Sequence, residues 1–484
     1  MLRIGFILLI LISSLVSCDS QEPNRPNIIF IYTDDQAAWG IGRSGNNQIY
    51  TPNIDRLASE GAYFPNAYVT TPVCSPTRVS LMTSQYASEH HVYDFIPQIG
   101  HRLYDPNIEI GINPESITFP EVLKNAGYQT ALIGKWHVGI WTQTGPKTYH
   151  PTNHGYDYFM GLTGGGTRPV DPVLEKDGTE QQFEGLTTDI LTNHAIDYIK
   201  SHYHNPFLLS LHYRAPHAAW LPVADEDWAP YDTLDPEIPN PDFPDLDIEK
   251  VKRKMKEYMA SISGVDRNIG RVLDLLKELK IEENTIVIFT SDHGYNMGHN
   301  GIEHKGNGYW ITRTKHPAKG NLAENSRPNM YDNSLKVPAI VKWPNVVKPG
   351  SVIPQNMMNL DWYPTVVEMA GSELPKNQII RGRSLVPLLK EESIEWNTDI
   401  YAEYSMINYS KAYMRTYRTP EWKLILDFLN PERHELYHLS VDPQENQNLI
   451  NSNSEEVKTV IDKLSRRIYQ QMEVLGDTLS YPGS

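Results

Sequence analysis

Residues Pro26-Asn27-Ile28-Ile29-Phe30-Ile31-Tyr32 form a continuous apolar run of strand length that closes on Thr33-Asp34-Asp35. A strand apolar on both faces predicts a place inside a parallel sheet with helices packed above and below it. The fold class expected is therefore α/β. The same run carries two adjacent carboxylates to the C-terminal end of a central strand, which is where open α/β sheets hold their ligands. Adjacent acids repel, so keeping both ionised in one pocket calls for a cation, the alternative being an acid-capped turn.

The pattern of an apolar strand with a polar exit recurs. Tyr128 to Ile133 delivers Gly134-Lys135-Trp136-His137, and in an extended segment Lys135 and His137, two apart, face the same side. Pro206-Phe207-Leu208-Leu209-Ser210-Leu211-His212 exits through Arg214, Pro216 and His217. A helix predicted over Lys252 to Lys280, with Val265, Ile269, Val272, Leu276 and Leu279 on one stripe, precedes the strand Thr285–Thr290 and its exit Ser291-Asp292-His293-Gly294. Asn53 to Gly61 reads as a helix with a glycine stop, and Ala62-Tyr63-Phe64 as an edge strand leading to Val73-Cys74-Ser75-Pro76-Thr77-Arg78. With a helix starting at Pro76, Cys74 lies at its N-terminal mouth and Arg78 one turn along, where both suit an anion. A buried structural cysteine is the plainer alternative.

Met1 to Ser17 holds one arginine, an apolar stretch and small residues, the pattern of a secretory signal, and Leu15-Val16-Ser17-Cys18 resembles a bacterial lipobox. On that reading Cys18 is lipidated, residues 18–25 are a tether, and the protein is anchored at the cell envelope. Both cysteines of the chain are then used covalently and no disulfide remains. Against 59 acidic side chains stand 43 basic ones, a net charge of −16, which steers no nucleic acid to the surface. The length predicts a large domain and a smaller one. Toward the C-terminus, Ile400–Tyr404, Ala412–Arg415 and Trp422–Leu426 alternate like antiparallel strands and Glu455 to Leu475 has helical periodicity, so a four-stranded sheet with one helix is expected there.

Asp34-Asp35, Cys74-Ser75-Pro76-Thr77-Arg78, Gly134-Lys135-Trp136-His137, Ala215-Pro216-His217, Ser291-Asp292-His293-Gly294 and Val337-Pro338-Ala339-Ile340-Val341 occur in the order and rough spacing of the type I sulfatases. The chain resembles that family, part of the alkaline-phosphatase-like superfamily, over most of its length, including Glu435-Leu436-Tyr437-His438-Leu439. The resemblance implies a large α/β/α sandwich with a mixed, mostly parallel central sheet over residues 26–372. A smaller α+β subdomain with a four-stranded antiparallel sheet is implied over 373–484. It further implies that a separate maturation enzyme oxidises Cys74 to formylglycine, whose hydrate is the nucleophile. Calcium would be held by Asp34, Asp35, the modified Cys74, Asp292 and His293, a position where many relatives carry asparagine. Arg78 and Lys135 would hold the sulfate and the diol, Asp292 would take the nucleophile's proton, His217 would protonate the leaving oxygen and His137 would act as base for sulfate release. Relatives usually carry a sulfate-binding lysine shortly before a Tyr-Glu pair. Here Arg327 stands before Tyr331-Asp332, with Lys315 and Lys319 as competitors.

The loop holding these residues also carries His304, Lys305, Tyr309, Trp310, Arg313 and His316, a basic and aromatic stretch suited to a sulfated sugar chain. Gly164-Gly165-Gly166-Thr167-Arg168 and His101-Arg102 are further subsite candidates, although turns account for both. The expected function is removal of sulfate from a sulfated carbohydrate. The alternatives are a phosphodiesterase or phosphonate monoesterase of the same superfamily, and a surface lipoprotein that binds glycan without turnover.

Overall fold

The structure is a computed structural model that describes residues 25–141 and 147–479. The apolar leader and Cys18 lie outside the described residues. A ten-stranded sheet forms the centre: β1 (Asn27–Thr33), β2 (Ala62–Tyr63), β3 (Gln129–Lys135), β4 (Tyr158–Leu162), β5 (Val173–Lys176), β6 (Thr179–Gln182), β7 (Phe207–His212), β8 (Thr285–Ser291), β9 (Ala339–Lys342) and β10 (Ser351–Val352). They lie in the order β10-β2-β9-β8-β1-β7-β3-β4-β5-β6. The five strands from β8 to β4 run parallel, and β9 and β5 enclose them as antiparallel neighbours. The segment read as an edge strand, β2, sits one place in, between β9 and β10. The hairpin β5–β6 has no apolar alternation to announce it, and all of β6 is exposed.

All seven residues of β1 are buried, and they alternate between two cores. Ile29 and Ile31 join Leu209, Leu211, Val287 and Phe289 under the helices α1 (Pro52–Glu60), α3 (Thr187–His202) and α4 (Ile248–Glu278). Phe30 and Tyr32 face the opposite core, with residues of α2 (Cys74–Thr83) and α5 (Trp362–Met369). Each fully buried Ile or Phe contributes about 1.5–3 kcal/mol, so β1 is an anchored platform for the two aspartates at its end. The α4 helix starts four residues before its predicted limit because Asp247 caps it, its side chain accepting from Lys250 N at 3.3 Å.

A second sheet, β11 (Ile400–Met406), β12 (Ala412–Arg418), β13 (Trp422–Asp427) and β14 (Glu435–His438), is fully antiparallel. One face packs into the large core through Tyr404, Met414 and Ile425, and the other carries α6 (Glu455–Leu475) on Leu424 and Leu426. Ion pairs to the buried Asp332 lock the two parts together: Lys423 Nζ lies 2.8 Å from its Oδ1 and Arg418 Nε 3.2 Å from its Oδ2. Among the described residues no helix is long and apolar enough to cross a membrane.

Candidate active site

The exits of β1, β3, β7 and β8 and the start of α2 converge. The α2 helix begins at Cys74, not at Pro76, so the cysteine belongs to its first turn and the proline is its third residue. That is allowed because a first-turn N–H has no intrahelical partner to lose. Every residue of α2 is buried. Arg78 thereby becomes an internal bolt: Nε donates to Asp292 Oδ2 at 3.0 Å, Nη1 donates to the Lys135 carbonyl at 3.0 Å, and the guanidinium lies 5.0 Å from the centre of the Tyr32 ring.

Three carboxylates and three cations are matched in this floor. Lys135 Nζ sits 2.5 Å from Asp34 Oδ2, Lys305 Nζ 2.6 Å from Asp35 Oδ1, and Arg78 Nη2 3.0 Å from Asp292 Oδ2. Burial pushes the Asp34 carboxyl up, but Lys135, His217, Arg78 and Lys305 outweigh it and hold it well below the carboxylate range. Asp35 is held down in the same way, burial being outweighed chiefly by Lys305. Asp292 goes the other way, pushed up to about 7 by burial and by the Asp34 charge beside it. For the Cys74 thiol, burial acts upward while Lys135, Lys305 and a hydrogen bond with His293 act downward and prevail.

Asp34, Asp35, Asp292 and His293 each offer a ligand atom, all within 4.8 Å of one another. Asp34 Oδ1, Asp35 Oδ2 and His293 Nε2 are buried without a hydrogen-bond partner. His293 Nδ1 lies 3.0 Å from the Gly294 carbonyl, which assigns its N–H to that side and leaves a lone pair on Nε2. That lone pair faces Asp35 Oδ1 at 3.2 Å and Asp292 Oδ1 at 3.4 Å. Acceptors aimed at one another in a dry site require positive charge between them, so these residues fit a cation, and three carboxylates fit a hard divalent one.

Above the floor opens a cavity of about 990 Å³, lined in part by Cys74, His137, His217 and Lys305. Lys135 and His137 do not share an extended segment: His137 has φ +56°, which turns its ring so that Nε2 lies 2.9 Å from the Ile96 carbonyl and 3.2 Å from Ser75 Oγ. Burial, then Lys135, holds its imidazole far below the usual range. His217 is drawn down to about 3 by burial, with Asp35 and Asp34 pulling the other way, and its Nδ1 lies 2.8 Å from the Ala218 carbonyl. Gly134 lets β3 press against β7, since a Cβ there would meet the His212 carbonyl oxygen at 1.8 Å. Gly165 makes room for the His137 ring, 3.0 Å from where its Cβ would stand. The glycine-rich segment with Arg168, and His101, read from sequence as turns or subsites, form part of the cavity wall.

Two residues expected at the sulfate lie elsewhere. Arg327 donates to Glu435 Oε1 at 2.5 Å and to the Tyr331 hydroxyl at 2.8 Å, serving as counterion to a buried glutamate of β14. Lys315 is three-quarters exposed and lies 3.9 Å from Glu324. Lys305 occupies the place expected of them. The antiparallel pairing of Ile302–His304 with Asn296–Met297 carries it inward, and burial draws its ammonium down while Asp35 and Cys74 outweigh that and leave it raised.

A mixed α/β/α sandwich whose strand ends hold a cation site and an anion-binding floor under one cavity defines a hydrolase of anionic esters. The sulfatase family model matches residues 26–372, and the chain belongs to the sulfatase family. The protein is a sulfatase. A second model, N-sulphoglucosamine sulphohydrolase, C-terminal, matches residues 325–474. The N-acetylglucosamine-6-O-sulfatase of Bacteroides thetaiotaomicron is 28% identical over 522 aligned positions, covering 90% of this chain and 85% of that protein. Human N-acetylgalactosamine-6-sulfatase is 29% identical, covering 76% and 67%. Among solved structures, BT4656 in complex with its substrate D-glucosamine-2-N,6-O-disulfate superposes with a TM-score of 0.78 at 25% identity, covering 95% of this chain and 100% of that one.

Proposed function

We propose that this sulfatase removes a 6-O-sulfate from a glucosamine-type saccharide, using formylglycine made from Cys74 and a calcium ion. The observation that carries the reading is the wide cavity with Cys74 at its base, walled by hydrogen-bonding and aromatic groups such as Gln98, His101, Tyr309 and Tyr409. Such walls suit a sugar better than a flat aryl ester. The relatives that act on sulfated glucosamine support the choice of sugar.

Hydrated formylglycine at position 74 would supply a hydroxyl nucleophile, and calcium, which Asp34, Asp35, Asp292 and His293 would hold, would make that hydroxyl acidic. Asp292 accepts the proton. Lys305 and Lys135 bring positive charge to the sulfate oxygens, and Arg78 keeps Asp292 aimed. His217 anchors its Nδ1–H on the Ala218 carbonyl and so offers Nε2 to the leaving oxygen. His137, held neutral, is the base for sulfate release. On this reading a maturation enzyme is an obligatory partner, and lipidation of Cys18 tethers the protein to the cell envelope, which Cys18→Ser should release into the soluble fraction.

Sulfate release from defined glucosamine and galactosamine sulfates, each with one ester at O3, O4 or O6, tests the reading. Release confined to glucosamine O6 supports it; faster release of phosphate from the matching phosphate esters, or a free thiol at Cys74 in active enzyme, refutes it.

A further inference from the structure

One cation in the cavity wall has no part in the reaction above. Arg214 follows β7, is 3% exposed, and lines the same cavity as Cys74, His217 and Lys305. Its Nη1 donates to the Ala219 carbonyl at 2.7 Å, while its Nε is buried without a partner. No carboxylate among the described residues lies within ion-pair distance of it. The other arginines buried to this degree are both paired, Arg78 with Asp292 and Arg415 with Asp477. The three acids of the floor already have one cation each in Lys135, Lys305 and Arg78. Arg214 is left over, a desolvated charge with no carboxylate of its own within ion-pair distance. Burial draws it down to about 10, with Asp34 and Asp35 holding against that, so it is fully charged at neutral pH.

We propose that Arg214 binds a second anionic substituent of the saccharide, a sulfate or carboxylate other than the sulfate being removed, and so sets the preference for multiply charged sugars. The inference rests on the reading that the substrate is a sulfated saccharide. With Nη1 engaged on Ala219, the Nε edge of the guanidinium remains, the edge that grips an oxyanion at two points. A purely structural role is the competing explanation, since the bond to Ala219 also steadies the turn that carries His217.

The test compares kcat/KM of the full-length, matured enzyme on N-sulfated and N-acetylated glucosamine 6-O-sulfate, and on a 6-O-sulfated disaccharide with and without a uronate carboxylate, for the wild type, Arg214→Gln and Arg214→Lys. The ratio within each pair is independent of how much of a variant folds. The expected result is a wild-type preference of roughly tenfold or more for the doubly charged member of one pair, as for one charge-assisted contact. In Arg214→Gln that preference collapses, and in Arg214→Lys part of it returns. The pair that responds identifies the second anion as sulfate or carboxylate. Equal loss on both members, which positioning of His217 would give, overturns the proposal, as does a wild type without preference. Turnover of an aryl sulfate with none of any sugar overturns the saccharide reading itself, and this proposal with it.

Discussion

Replacing Lys305 with methionine separates two roles that its position combines. Its ammonium is 2.6 Å from Asp35 Oδ1, almost wholly buried, and shares the cavity with Cys74. As a counterion alone, its loss leaves Asp35 unneutralised, and breaking a buried pair costs about 3–5 kcal/mol. With calcium bound beside Asp35 as proposed, much of that would be offset, so a calcium-loaded variant should melt only a few degrees below wild type. As a donor to charge developing on the sulfate, its removal costs about 2.7–4 kcal/mol at the transition state, or 10²–10³ in rate. The expected outcome is therefore a fall in kcat/KM of about 10²–10³, carried mainly by kcat, with the fold intact. Sulfate release measured by ion chromatography, beside thermal melts at saturating calcium, reads both quantities. A variant within about threefold of wild-type kcat/KM but strongly destabilised would refute the reasoning, because less than 1 kcal/mol would then be lost at the transition state.

Three further outcomes are expected. Cys74→Ser lacks the second hydroxyl of the aldehyde hydrate, so it should stall after one turnover with a covalent sulfo group visible in the intact mass; sustained turnover sinks the formylglycine reading. Asp292 sits at about 7, above its ordinary value, so below that pH the metal-free protein holds a proton that the cation must displace. Calcium affinity should weaken by about tenfold per pH unit below 7 and level off above it, measured by calorimetry; an affinity flat across this window removes Asp292 from the ligand set. Asp94 accepts from Phe95 N (2.8 Å), Ile407 N and Asn408 N (3.0 Å each) and the Tyr404 hydroxyl (3.2 Å), joining a cavity wall to the end of β11. Asp94→Asn replaces one acceptor oxygen with an amide NH2 that faces N–H donors, and should cost about 1–3 kcal/mol, read as a lower denaturant midpoint, with KM for the sugar raised as Phe95 and Tyr409 shift.

Much of the site was legible because chemistry and geometry coincide at strand ends. Runs such as β1, β7 and β8 are too apolar for any place but the sheet centre, and whatever follows them must emerge at its carboxyl edge. The second sheet was readable for a similar reason, its alternation having one face on the main core and one on α6. Lys305 was not. It shares an irregular loop with Arg313, Lys315 and Lys319, and only the pairing of a short ribbon decides which cation turns inward. Arg327 misled because its sequence context matches while its partner, Glu435, lies more than a hundred residues away. The left-handed backbone at His137 left no trace either, since histidine carries no such signature.

The burial of Cys74 imposes an order of events on the life of the chain. Its side chain lies in the first turn of a helix of which every residue is internal, at the base of the cavity. If Cys74 is oxidised by a separate enzyme, that enzyme must reach the thiol, and the folded protein keeps the segment around it internal. On the formylglycine reading, modification would therefore precede docking of α2 onto the sheet. Yield of active enzyme is then a race between maturation and folding, and slowing the second should help the first.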